Sequence, residues 1–164
     1  METKNLALTA LFAALYAILV LILVPFSFQL VQVRVADALI PLSIIYGWPA
    51  VIGMTVGCII SNIASPIPSI IVDITLGSIA NLVASFVAWK IGSWKRRNSI
   101  VNEFLGCLAA TFLITFIVGT YLAILTEMEL WIWWLSIWIG SAISINVLGY
   151  ALVQILKKLE QSVK

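Results

Sequence analysis

The stretch NLALTALFAALYAILVLILVPFSFQLVQV, residues 5–33, contains no charged side chain. A helix that crosses a membrane needs about 20 predominantly apolar residues, and residues 5–24 meet that requirement before Pro25 ends the pattern. The stretch therefore predicts a membrane-spanning helix over residues 5–24. A cleaved signal peptide is the alternative, but the apolar part is too long for one and no A-x-A cleavage site follows Val24.

Charged residues divide the rest of the chain in the same way. The uncharged runs that follow predict three further spans, near residues 70–89, 103–125 and 131–156. The run 38–72 is too long for one helix and is interrupted by the turn signal Gly47-Trp48-Pro49. We divide it into a short segment near 36–46 and a span near 50–64, so the sequence predicts an all-α bundle of six transmembrane helices.

The composition supports lipid as the solvent of this chain, which we expect to form a single domain over residues 1–164. It is 63% hydrophobic and 10% charged, whereas soluble domains are about 45–50% apolar and about 25% charged. The net charge of +2 argues against a nucleic-acid binder. The chain has no histidine, and Cys58 and Cys107 lack the CxxC spacing of a metal or redox site. We therefore expect no enzyme activity, no metal and no cofactor.

The positions of lysine and arginine predict the orientation. With six spans both termini lie on one side of the membrane, together with eight of the nine basic residues. The excess of basic residues in cytoplasmic segments assigns that side to the cytoplasm. Arg34 is the exception and falls on the predicted outer side.

Five polar residues at membrane depth concentrate toward the predicted outer side. Arg34 and Asp37 flank the start of the second segment, and Asp73 lies about one turn into the fourth span. Asn62 lies at the outer end of the third span, and Asn81 lies deeper in the fourth. Such residues are costly in a membrane and are functional candidates by default. A structural role stays open, because Asp37 suits a helix start and either carboxylate can pair with Arg34. Two carboxylates against one arginine would leave one of them for a ligand that carries N–H groups.

Four segments carry a family resemblance: Val33 to Leu39, the turn Gly47 to Ala50, Gly53 to Ser65, and Asp73-Ile74-Thr75-Leu76-Gly77-Ser78. They resemble the queuosine-precursor transporter family, which belongs to the substrate-binding (S) components of energy-coupling factor transporters. The resemblance implies a protein of the prokaryotic plasma membrane that captures a 7-deazaguanine-type molecule from outside. It also implies a transmembrane coupling subunit and two ATPase subunits as partners, with ATP hydrolysis only in the latter.

The resemblance also implies roles for the polar residues. Asp37 or Asp73 would accept hydrogen bonds from the ring N–H and the exocyclic amine of the base. Asn62 or Asn81 would pair with its carbonyl edge. Bases without these donors would be rejected, because buried polar groups left unpaired are expensive.

Aromatic stacking on the base is expected from Phe28 or Trp138. One departure from the family pattern is Ser141, which follows Trp138-Ile139-Gly140 where relatives carry an acidic residue, and it leaves the substrate open. The alternatives are an S component for a different vitamin and a stand-alone small channel. Polar residues clustered toward one side favour a binding pocket over a channel.

Span 1 carries two overlapping pairs of small residues, Ala10/Ala14 and Ala13/Ala17, at the four-residue spacing that lets helices approach closely. Spacing alone leaves docking of another chain and packing within this chain equally open. In the family that the chain resembles, such a motif contacts the coupling subunit, and Ala10, Ala14 and Ala17 match it. We therefore expect the four alanines to form a partner-binding face.

Overall fold

The computed structural model describes residues 2–23, 33–94 and 99–162. Within these ranges the regular structure is entirely helical. The helices are α1 (Thr3–Ile22), α2 (Val35–Leu42), α3 (Ser43–Tyr46), α4 (Trp48–Asn62), α5 (Ile70–Gly92), α6 (Ser99–Thr126), α7 (Leu130–Ser141), α8 (Ala142–Gly149) and α9 (Tyr150–Ser162). The all-α class predicted from the sequence is confirmed.

Six apolar helical segments correspond to the six predicted ones. Four are long enough to cross a membrane: Thr3–Ile22, Ile70–Gly92, Ile100–Thr126 and Leu130–Ser162. Two are shorter, Val35–Tyr46 and Trp48–Asn62. The segments thus form a multi-pass arrangement, and the assignment of one side to the cytoplasm stays a prediction.

The α1–α4 contact depends on two glycines. A Cβ atom on Gly53 would lie 2.6 Å from the main-chain oxygen of Thr9, and one on Gly57 would lie 2.7 Å from that of Ala13. Backbones this close leave no room for a side chain, which is why small residues recur at helix contacts in membranes.

Helix α2 is a 3₁₀-helix in the interior of the bundle. Every residue from Ala36 to Leu42 is buried, and Pro41, which has no N–H to donate, lies within it. The chain leaves α3 at Gly47, whose φ of 60° is a left-handed conformation that side chains rarely adopt. The turn predicted at Gly47-Trp48-Pro49 is confirmed.

The last predicted span, near 131–156, is correct in position but is not a plain α-helix. Residues 142–149 form the π-helix α8 between the α-helices α7 and α9. A Cβ atom on Gly149 would lie 2.8 Å from the main-chain oxygen of Ala38 and 2.8 Å from Pro41. Close packing against the irregular helix α2 accompanies the wider winding of α8.

The bundle has two chemically different ends. Glu2 and Lys4 at the start of α1 line a cavity of about 560 Å³ together with Leu156 and Glu160 of α9. We name this end, where α1 starts and α9 finishes, the basic end. The opposite end, which contains Arg34 and Asp73, is named the cavity end.

Candidate functional site

A small cavity lies at the end of the bundle that contains Arg34 and Asp73. Its polar lining comes from the start of α2, from α5 and from the last residue of α7: Arg34, Asp37, Asn81 and Ser141. Gly77 and the apolar side chains of α6 and α7 complete it. Its volume of about 20 Å³ is room for about one water molecule. Three of the five polar residues predicted at membrane depth therefore share one cavity.

Asp73 and Asn62 are brought together beside this cavity. The Tyr121 hydroxyl on α6 donates a hydrogen bond of 2.5 Å to Oδ1 of Asp73. The Asn62 amide at the end of α4 donates one of 3.0 Å to the main-chain oxygen of Asp73. Asp73 and Asn62 are both fully buried, so the Tyr121 hydroxyl stabilises a carboxylate that would otherwise be costly to bury, and the Asn62 amide holds the backbone of the same residue.

Gly77 is the point at which these groups converge. A Cβ atom there would lie 2.7 Å from Asn62 Nδ2, 3.4 Å from the Tyr121 hydroxyl and 3.7 Å from Asp73 Oδ1. Because Gly77 also lines the cavity, the three polar groups stand directly behind its wall. Any side chain at position 77 would displace the Asn62 amide.

Asp37 is held by a second tyrosine. The Tyr16 hydroxyl on α1 donates a hydrogen bond of 2.6 Å to Oδ1 of Asp37. The Asp37 carboxylate also interacts electrostatically with the Arg34 guanidinium, and both side chains are buried. A direct pairing of Asp37 with Arg34, one of the structural roles considered from the sequence, stays a prediction.

Asn81 contacts a buried cysteine. Cys58 on α4 lies close to the side chains of Asn81 and Ser78. Since Asn81 lines the cavity, Cys58 lies just outside its wall. Cys58 was not among the residues predicted for the site.

Several buried oxygen atoms around the cavity have no hydrogen-bond partner among the described residues. They are Asn62 Oδ1, Asp73 Oδ2, Ser78 Oγ and Asn81 Oδ1. Each buried polar atom left unpaired costs about 1–3 kcal/mol. All four can accept hydrogen bonds, so the arrangement is suited to a ligand that donates several of them.

In the described ranges no group of three or more histidine, cysteine, aspartate or glutamate residues could hold a metal ion. What the site offers chemically is hydrogen-bond recognition.

The structure does not bring Trp138 to the cavity. Trp138 is 43% exposed and lines a lateral groove of about 260 Å³ with Phe112, Phe116 and other aromatic residues. Its neighbour Ile137 faces the cavity instead, because successive residues on a helix point about 100° apart. Stacking by Trp138 is therefore not supported. Phe28, the other predicted stacking residue, lies outside the described residues.

The four alanines of α1 divide into two faces. Ala13 and Ala17 are buried, and the backbone of Ala13 packs against Gly57 of α4. Ala10 and Ala14 are exposed. A partner-binding face can therefore include Ala10 and Ala14, whereas Ala13 and Ala17 serve packing within the chain.

The two tyrosines that hold the carboxylates were not predicted. Tyr16 and Tyr121 lie in apolar runs, where they look like core residues. A buried tyrosine hydroxyl normally has a hydrogen-bond partner, and this was the signal available from the sequence.

The comparison with protein families gives a match that covers nearly the whole chain. The family model described as QueT transporter matches residues 6–158. The comparisons with curated proteins and with solved structures give no match. The matched range contains every residue that lines the cavity.

Proposed function

Because the chain belongs to the QueT transporter family, we propose that this membrane transporter is the substrate-capture subunit of an energy-coupling factor system for a queuosine precursor. The observation that supports the substrate class is the set of buried acceptor atoms beside the cavity, Asn62 Oδ1, Asp73 Oδ2 and Asn81 Oδ1. A 7-deazaguanine base carries a ring N–H and an exocyclic amine on one edge. These donors would satisfy acceptors that the protein leaves unpaired.

The roles of the site residues follow from which of their atoms are already engaged. Asp73 accepts from the base through Oδ2, because Oδ1 is held by Tyr121. Asn62 also acts as an acceptor, since its amide nitrogen already donates to the main chain of Asp73. This differs from the carbonyl-edge pairing expected from the sequence. Arg34 lines the cavity and is the cationic donor for the carbonyl oxygen of the base.

Binding must enlarge the cavity. A volume of about 20 Å³ holds about one water molecule, whereas the ligand has two fused rings. Two of the elements that border the cavity are α2 and the end of α7, which adjoins α8. Helical segments of 3₁₀ and π type often mark functional hinges, so α2 and α7–α8 are the elements that move apart when the base enters.

The test is calorimetric titration of the detergent-purified chain with queuine, its nitrile and aminomethyl 7-deazaguanine precursors, and guanine. We expect saturable one-to-one binding of a deazaguanine, with guanine binding more weakly. No heat with any of these bases would contradict the assigned substrate. Binding of another vitamin in a wider panel would then identify an S component of different specificity.

The exposed face of α1 is the surface proposed for the coupling subunit, with the ATPases as separate chains. Ala10 and Ala14 are exposed at a spacing that admits a close helix partner. Ala14→Trp should block co-purification with the coupling subunit while ligand binding persists. Leu15→Trp is the matched control, because Leu15 is 41% exposed but points about 100° away from Ala14. Normal co-purification of Ala14→Trp would contradict the docking face.

The orientation proposed is the one that the basic residues predict. The cavity end faces outward and the basic end, with Lys4 and Lys157, faces the cytoplasm. Labelling of single cysteines at Glu127 and at Lys4 with a membrane-impermeant reagent on intact cells tests it. We expect reaction at position 127 and none at position 4, and the reverse pattern would overturn the orientation.

A further inference from the structure

The two carboxylates at the cavity end, Asp37 and Asp73, each accept a hydrogen bond from a tyrosine but differ in their other interactions. Asp37 and Asp73 each accept a tyrosine hydroxyl at Oδ1, at 2.6 and 2.5 Å. Asp37 interacts in addition with the Arg34 guanidinium. Asp73 Oδ2 is buried without a hydrogen-bond partner in the part of the chain that the structure describes.

Asp73 is held through its backbone as well as through its carboxylate. Its main-chain oxygen accepts the Asn62 amide at 3.0 Å, so both its backbone and one carboxylate oxygen are fixed. A carboxylate held at one oxygen cannot rotate freely about its Cβ–Cγ bond. The second oxygen therefore keeps a single direction.

We propose that Tyr121 is a positioning residue that fixes Asp73 so that Oδ2 selects ligands carrying an exocyclic amine. This inference rests on the proposed function and adds to it a residue that sets specificity. A hydrogen bond to a charged group contributes about tenfold or more to binding when it is well oriented. If the orientation of Oδ2 is lost, the affinity for a base that carries the exocyclic amine falls. The affinity for a base without the amine changes little.

The surroundings of Tyr121 allow a substitution to phenylalanine that removes the hydroxyl and leaves the packing of the ring unchanged. Its ring is buried against the core of the bundle, and Val118, one turn earlier on α6, lines the cavity. Tyr121→Phe keeps the ring and removes only the hydroxyl that reaches Asp73. The change leaves no large void, so we expect the protein to fold.

The experiment compares 7-deazaguanine with 7-deazahypoxanthine, which differ in the exocyclic amine alone. Dissociation constants are measured calorimetrically for the unmodified chain, Tyr121→Phe, Asp73→Asn and the double variant. We expect the unmodified chain to prefer 7-deazaguanine by about tenfold or more and Tyr121→Phe to lose most of that preference. In the Asp73→Asn background, Tyr121→Phe should change neither constant further.

Tyr150→Phe is the matched control. Tyr150 lies at the start of α9, where its ring packs edge-on against Phe104 at 5.8 Å. The same atom is removed far from the cavity, so the preference between the two bases should equal that of the unmodified chain. Thermal unfolding without ligand, measured for every variant, checks that each one is folded.

Three outcomes would overturn the inference. An equal loss of affinity for both bases in Tyr121→Phe means that the hydroxyl serves only the fold. If the loss of affinity from Tyr121→Phe adds to that from Asp73→Asn in the double variant, Tyr121 does not act through Asp73. An unmodified chain that binds neither base overturns the proposed substrate and this inference together, which distinguishes that failure from the first two.

Discussion

Each end of the bundle buries a carboxylate, and the two are satisfied differently. At the basic end Glu103 is 1% exposed. It accepts hydrogen bonds from Lys157 at one oxygen and from Gln154, at 2.7 Å, at the other. At the cavity end Asp73 is 0% exposed, and one of its oxygens has no partner among the described residues.

Burial alone therefore does not identify a binding site in this protein. Both carboxylates are equally remote from solvent, and both lie on membrane-spanning helices, where such groups are functional candidates by default. Glu103 has its donors within the chain and joins α6 to α9. Asp73 keeps an acceptor available, so hydrogen-bond satisfaction separates the structural group from the candidate ligand-binding group.

The largest expected effect contrasts the two carboxylates directly. Asp73→Asn should raise the dissociation constant of the deazaguanine about 100-fold, because it removes a charged acceptor and places an N–H group against ligand donors. Glu103→Gln should leave that constant within about twofold but lower the free energy of unfolding by about 1–3 kcal/mol, since the bond to Lys157 is weakened. Calorimetry and thermal unfolding measure the two effects. Equal binding losses in both variants would remove the distinction.

A glycine at each end gives the second contrast. Gly77→Ala would put a Cβ atom 2.7 Å from Asn62 Nδ2, so the amide must shift and the dissociation constant should rise about tenfold. Gly92→Ala would put one 2.6 Å from the side chain of Ile44, which costs stability and leaves binding intact. Titration of both variants tests this. Unchanged binding in Gly77→Ala would mean that Asn62 does not contact the ligand.

A smaller effect is expected within the cavity end itself. Tyr16→Phe removes the donor to Asp37, but Arg34 still interacts with that carboxylate. The dissociation constant should therefore rise about threefold, less than with changes at Asp73. The same titration measures it. A loss as large as that of Asp73→Asn would move the main recognition role to Asp37.

The smallest effect is expected at a residue that belongs to neither end. Trp138→Phe changes the lateral groove and not the cavity, so the dissociation constant should stay within about twofold. A loss of more than about tenfold would restore Trp138 as a stacking residue and would require α7 to rotate on binding.

Much of the fold follows from the sequence because lipid imposes simple rules. The spacing of charges gave the six apolar segments, and Gly47-Trp48-Pro49 gave the break in the long central run. Arg34, Asp37 and Asn81 were predicted because polar residues in apolar runs are conspicuous. The structure then placed all three around one cavity.

What the sequence did not give depends on contacts between distant helices. Tyr16 and Tyr121 act through hydroxyls that meet residues 21 and 48 positions away. The π-helical winding of α8 has no local signal, because it accompanies the close contact of Gly149 with Ala38 and Pro41. The choice between Ile137 and Trp138 depends on the rotation of α7, which only its neighbours define.

The shortness of α4 has a consequence for the surrounding bilayer. Its 15 residues extend about 22 Å at 1.5 Å per residue, and its exposed face is apolar, with Ile52, Val56, Ile59 and Ile60. The hydrocarbon core of a bilayer is about 30 Å thick. Lipids against α4 must therefore thin locally or the protein must tilt toward that side, each at a modest cost per ångström of mismatch. Bilayer thickness is thus a variable that acts on the flank of the protein formed by this short helix.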